Sequence, residues 1–104
     1  MSEQAYVIVH LQVKDFDAYF ENYVGPLLSQ FEEYGAKVLA ATTEPDVREG
    51  ELFGNWHVVL EFPSVASAHA WYGSPAYEPL KELRMSRLTD GGSLAILPSF
   101  APPG

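Results

Sequence analysis

From Ala5 to Val13 the character of the chain alternates: Val7, Val9, Leu11 and Val13 make one aliphatic face, and Tyr6, Ile8, His10 and Gln12 a mixed one. Period two with β-branched residues predicts a strand that lays its aliphatic face against helices. At Phe16 the period lengthens. Phe16, Tyr19, Phe20, Tyr23, Leu27, Phe31 and Tyr34 recur at spacings of three and four, which is a helical stripe, and Asp15 is placed to cap it. Pro26 interrupts this helix, because its ring clashes with the carbonyl of Asn22 and it brings no N–H. The stripe keeps its phase across the proline, so the pattern predicts one kinked helix. Gly35 supplies a left-handed stop.

Lys37–Thr42 reads as a short strand, and residues 43–55 as a polar excursion with turns at Glu44-Pro45 and Gly50. Trp56–Phe62 alternates again, with Val58, Leu60 and Phe62 on one face and His57, Val59 and Glu61 on the other. Ser64 caps a second helix that carries Val65, Ala68 and Tyr72 and stops at Gly73. Ser74-Pro75 restarts a turn, Pro79 breaks it, and a fresh helix runs to about Leu88. Asp90-Gly91-Gly92 is expected to end that helix, and 93–97 to form the last strand.

The order β-α-β-β-α-β predicts an α+β, ferredoxin-like sandwich with both helices on one face of an antiparallel sheet. Tyr6, Ile8 and Val59 are then left on the far face, too apolar to lie bare in water. A second copy stacked sheet to sheet would cover them, so the expected assembly is a homodimer, a dimeric α/β barrel.

Composition narrows the function classes. A chain of 104 residues suits one domain (1–104), with its core over 5–97 and a loose tail at 98–104. Six basic against fourteen acidic side chains give a net charge of −8, which disfavours nucleic acid and anionic membranes as partners. There is no cysteine, hence no disulfide, thiolate ligand or cysteine nucleophile. The start lacks the basic segment of a signal peptide, and the apolar run at 5–13 is far short of the ~20 residues a bilayer span needs. These features point to a cytoplasmic protein.

Several stretches, in order, resemble the family called domain of unknown function 1330, of the dimeric α/β-barrel group. They are "AYVIVHLQV", "YGAKVLA", "REG" at 48–50, "VVLEFPSVASAHAWYGSPAYEPLKELR" and a closing "LAIL". The block from "EFPS" to "WYGSPAY" and "LR" is the most specific. The chain departs from the family at Gly35-Ala36, where paired glycines are usual, and at Pro98, where a glycine is usual. The resemblance implies a ferredoxin-like protomer whose dimer encloses a cavity between two sheets. It implies no particular reaction.

Strand parity sends His10, Gln12, His57 and Glu61 to the face away from the helices, toward that cavity. Glu61 is a carboxylate between Leu60 and Phe62, a costly choice unless paired. Arg84 lies on the apolar line of Tyr77, Leu80 and Leu88, where an arginine must find an anion or bury its stem. Each is more often a structural partner than a catalytic group, and the two are expected at one cavity edge, bridged or poised on one ligand. His10, His57 and Glu61 have the residue types of a two-histidine, one-carboxylate metal site, but without a tight motif the interior hydrogen-bonding role is preferred. His69 falls on a solvated helix face. Tyr72 and Tyr77, at the joint between helices, read first as core and second as phenols at a cavity rim.

The expected function is a homodimeric small-molecule-binding protein without metal or cofactor. As an enzyme it would act on a small organic acid or aromatic. Glu61 or His10 would carry acid–base chemistry, and Arg84, Tyr72, Tyr77 and His57 would hold the ligand. The rival class is a non-enzymatic interaction module with a filled cavity, and a third is a metal-dependent oxygenase.

Overall fold

The computed structural model describes residues 3–100. The alternating segments become β1 (Ala5–Val13), β2 (Lys37–Thr42) and β3 (Trp56–Phe62), and β4 spans Thr89–Pro98. They form one antiparallel sheet in the order β2-β3-β1-β4. The helices are α1 (Phe16–Tyr19), α2 (Gly25–Tyr34), α3 (Val65–Tyr72) and α4 (Glu78–Leu83). The fold is ferredoxin-like α+β, as the element order predicts. Among the described residues no helix is long and apolar enough to cross a membrane.

A π-helical turn, Phe20–Val24, joins α1 to α2, so residues 16–34 form the single interrupted helix that the stripe predicts. The turn is the answer to Pro26. The N–H of Gly25 reaches back five residues to the carbonyl of Phe20, and the wider loop makes room for the proline ring. Asp15 caps the start through the N–H groups of Asp17 and Ala18, and Gly35 ends the helix at φ 74°. A second π-helical turn, Arg84–Leu88, ends α4, with the N–H of Thr89 on the carbonyl of Arg84.

The last strand is longer than expected. Asp90-Gly91-Gly92 lies inside β4, which starts at Thr89 and not at 93. Gly91 takes φ +98°, and at Gly92 an added Cβ would sit 2.5 Å from the carbonyl oxygen of His10. The glycines therefore let the strand begin early against β1, with a register shift between Leu11 and Val13. Of the tail expected at 98–104, Pro98 pairs with Ala5, and residues 101–104 lie outside those described.

Ala5, Val7, Val9, Leu11 and Val13 are buried toward the helices, together with Leu60 and Phe62 of β3. Trp71, Tyr77, Phe62, Leu11 and Val7 are the largest fully buried side chains. Removing an aromatic of this kind costs about 3–5 kcal/mol. The opposite face carries three cross-strand rows: Lys37, Glu61, Tyr6 and Leu97; Ala40, Val59, Ile8 and Ala95; Thr42, His57, His10 and Ser93. No helix packs on it.

Candidate functional site

The first π turn does more than accommodate a proline. Its residues Phe20, Tyr23 and Val24 border a cavity of about 220 Å³ between helix and sheet. Tyr19, Phe20, Tyr23 and Leu27 line it from the helix, and Val58 and Leu60 from β3. Trp56 and Trp71 complete an almost wholly apolar wall. Phe20 stays partly exposed at 42 % and packs edge-on to Trp56, with ring centroids 5.5 Å apart. An apolar cavity of about 150 Å³ already holds benzene. This one suits a molecule of one or two fused rings.

One side of the cavity backs onto polar groups. Tyr19 and Tyr23 stack at 5.2 Å, and the Tyr23 hydroxyl meets that of Tyr77 at 2.6 Å in the interior. The Tyr77 ring in turn lies 4.3 Å from Trp71. Gln30 ties this wall together: its Nε2 donates to the carbonyl of Ala76, and its Oε1 accepts from the indole of Trp71. Arg84, at the head of the second π turn, is buried among these tyrosines at 4 % exposure. The hydroxyls of Tyr77 and Tyr23 lie near enough to interact with its charge. Even so, its Nε and Nη2 have no hydrogen-bond partner.

Burial, and then the neighbouring Tyr77 hydroxyl, push the Tyr23 phenol well above its ordinary value of 10, against the opposing charge of Arg84. Burial pushes Tyr19 up in the same way. Both phenols therefore stay neutral near pH 7 and leave the guanidinium charge uncompensated. For Arg84 itself burial works against the charge, and its pKa moves up only through the pull of tyrosine oxygens that carry charge at high pH, so near pH 7 that compensation is absent. Tyr19 and Tyr23 are the polar-tipped residues of the cavity wall, and the buried cation lies behind them, outside the lining.

The sequence candidates divide between the two sides of the sheet. Arg84 and Tyr77 lie on the helix side, buried behind the cavity wall and not in its lining. Tyr77 is fully buried, as a core reading requires, and its hydroxyl joins the polar wall. Tyr72 is half-buried at the helix joint, where the ammonium of Lys81 sits 4.7 Å above its ring. Glu61, His10 and His57 face the other way. Glu61 stands beside Tyr6 and Lys37. The sheet separates it from Arg84, so the expected bridge or shared cavity edge is not formed. Among the described residues, no salt bridge includes either of them.

His10 and His57 do converge. They are cross-strand partners with their Nδ1 atoms 3.0 Å apart, one donating to the other. His57 is buried. Burial first, and then the charge of His57, lower the pKa of His10. Glu61 stands two rows away across Val59 and Ile8, so the three do not gather around one point. Among the described residues no cluster of three metal-ligating side chains occurs. His69 is exposed, as expected.

The comparisons with known proteins agree with this architecture. Residues 4–96 match the family described as Domain of unknown function (DUF1330). The chain belongs to that family. No curated protein matches it by sequence. A DUF1330 chain of this shape has solved counterparts. A protein of unknown function from Rhodopseudomonas palustris superposes with a TM-score of 0.71 at 19 % identity, over 98 % of this chain and 86 % of that one. SnoaB, a cofactor-independent oxygenase from Streptomyces nogalater, superposes with a TM-score of 0.62 at 13 % identity, over 97 % of each chain. A conserved protein of unknown function from Bacteroides thetaiotaomicron reaches 0.65 at 9 % identity, over 95 % of this chain and 100 % of that one. At such identities the likeness concerns the fold.

Tyr19, Tyr23 and Trp56 are the site residues that sequence reasoning passes over. A stripe of aromatics reads as core, and most of it is core. The available signal was Pro26: a proline inside an otherwise continuous stripe forces a local widening, and wide helical turns recur at functional sites.

Proposed function

We propose that this DUF1330 protein binds a small, flat, mainly aromatic molecule in the cavity between the first helix and the sheet. The observation that carries this reading is the cavity itself, an aromatic-walled space of about 220 Å³ in so small a domain. Native cores close such voids, because each lost contact costs dispersion and transfer energy. Its wall is apolar with a few convergent polar groups, the composition of a ligand site. A filled, non-enzymatic module does not account for it.

The homodimer belongs to the same proposal. The rows through Ile8, Val59, Ala40 and Ala95 form a flat apolar band on the uncovered face, and Leu97 at its edge is 44 % exposed. A second copy burying ~1,200 Å² in total would cover it. His10 and His57 then belong to the interface, and Glu61 to its margin. A catalytic use of the cavity is supported by the fold held in common with a cofactor-independent oxygenase. In that use Arg84 and Tyr77 hold the ligand at the polar wall, with Tyr23.

The test is calorimetric titration with 2-naphthamide, a neutral two-ring probe. Wild-type protein is expected to bind it, and Val58→Phe, which places a ring in the cavity, to lose it. Undiminished binding by Val58→Phe, with the variant folded, would refute the cavity as the site.

A further inference from the structure

Among the described residues, Arg84 is the buried side chain whose surroundings leave its hydrogen bonding incomplete. A guanidinium offers five N–H donors and a permanent charge. Here it is 4 % exposed, and both Nε and Nη2 lack a partner. A buried charge is normally paired, because desolvation without compensation is costly. This chain has ample means to pair it, with fourteen acidic side chains against six basic ones. The described salt bridges use them elsewhere, in Lys14–Asp90, Arg48–Asp46 and Lys81–Glu78. The nearest groups, Tyr23 and Tyr77, are phenols bonded to each other. They supply dipoles to the cation and no negative charge.

Its position gives the vacancy a direction. Tyr19 and Tyr23 line the cavity, and both interact with the charge of Arg84. Tyr23 sits in the π turn at Phe20–Val24, and Arg84 heads the π turn at Arg84–Leu88. Such turns interrupt the regular helical ladder and persist where local geometry is needed. Arg84 lies behind the Tyr19–Tyr23 wall, so an anion that enters past these rings meets two adjacent N–H groups, Nε and Nη2, in the fork geometry that matches a carboxylate.

We propose that the ligand of this cavity is an aromatic carboxylate, its ring system held between Phe20, Trp56 and Val58 and its carboxylate paired with Arg84. This rests on the cavity reading above and adds the charge class of the ligand. The one phenol hydrogen that the Tyr23–Tyr77 bond leaves over completes the anion's hydrogen bonds. The apolar wall raises the strength of that pairing by excluding water.

The test compares 2-naphthoate with 2-naphthamide, which has the same ring system and a neutral head. Calorimetry on the wild-type protein is expected to give at least tenfold tighter binding of the naphthoate. Arg84→Met should abolish that preference, and Arg84→Lys should retain part of it. Equal wild-type affinities, or a preference that survives in Arg84→Met, would overturn the carboxylate assignment and leave the cavity standing. Binding of neither probe would overturn the cavity reading and this inference with it. The wild-type comparison depends on no variant folding.

Discussion

A buried cation kept for a ligand should weaken the unliganded protein, and that cost can be measured. Arg84→Met removes the charge and keeps an unbranched side chain of similar reach. Nε and Nη2 are the buried donors without partners, and each such unsatisfied group costs about 1–3 kcal/mol. Taking the low end for both gives roughly 2 kcal/mol recovered on their removal. Losing the contact with the Tyr23 and Tyr77 hydroxyls returns about 1 kcal/mol of that. The net expectation is a variant more stable than wild type by about 1 kcal/mol, or roughly 4–8 °C in melting temperature for a domain of this size. Urea denaturation followed by tryptophan emission reads this directly, since Trp56 and Trp71 both line the cavity. Destabilisation by several kcal/mol would refute the reasoning, because that is the sign of breaking a satisfied buried charge.

Two further expectations concern the uncovered sheet face. Light scattering at micromolar concentration should show a dimer for the wild type and a monomer for Ile8→Asp, which puts a charge in the apolar band; a monomeric wild type contradicts the interface. The second is pH dependence. His10 has its folded-state pKa below the ordinary 6.5, through burial and then the charge of His57. The unfolded chain therefore takes up the proton first. The contribution of this group is fully present above about 6.5 and is lost as pH falls through the lower folded value. Denaturant melts at pH 7.5 and 5.5 should show a smaller acid loss in His10→Asn than in wild type, and identical losses would refute the coupling.

Much of the fold is legible because period-two and helical stripes report burial on one face. Val7, Val9 and Leu11 fixed the orientation of β1, and the phase across Pro26 fixed a single helix. The start of β4 was hidden because Gly91 and Gly92 carry the signature of a turn, and only the closeness of the His10 carbonyl shows why the strand needs them. For the site, parity correctly placed His10 and His57 on the outer face, and only the strand register shows that they are partners. What the pattern could not reveal was depth: Glu61 and Arg84 both sit in apolar sequence, yet the sheet lies between them. Periodicity assigns a residue to a face of its own element, and only the packing of elements decides which faces meet. The cavity escaped for the same reason, since a wall of aromatics has one sequence pattern whether the space beside it is filled or open.

The measurement that tests the central claim most directly is a methyl-resolved NMR titration of the wild-type protein with 2-naphthamide. The inner cavity predicts that ring-current shifts concentrate on Val9, Leu27, Val58, Leu60 and Leu94, which line it. Ile8, Val59 and Leu97, on the far side of the sheet, should stay unmoved. Shifts centred on Ile8, Val59 and Leu97 instead would place the ligand between two sheets and contradict the account.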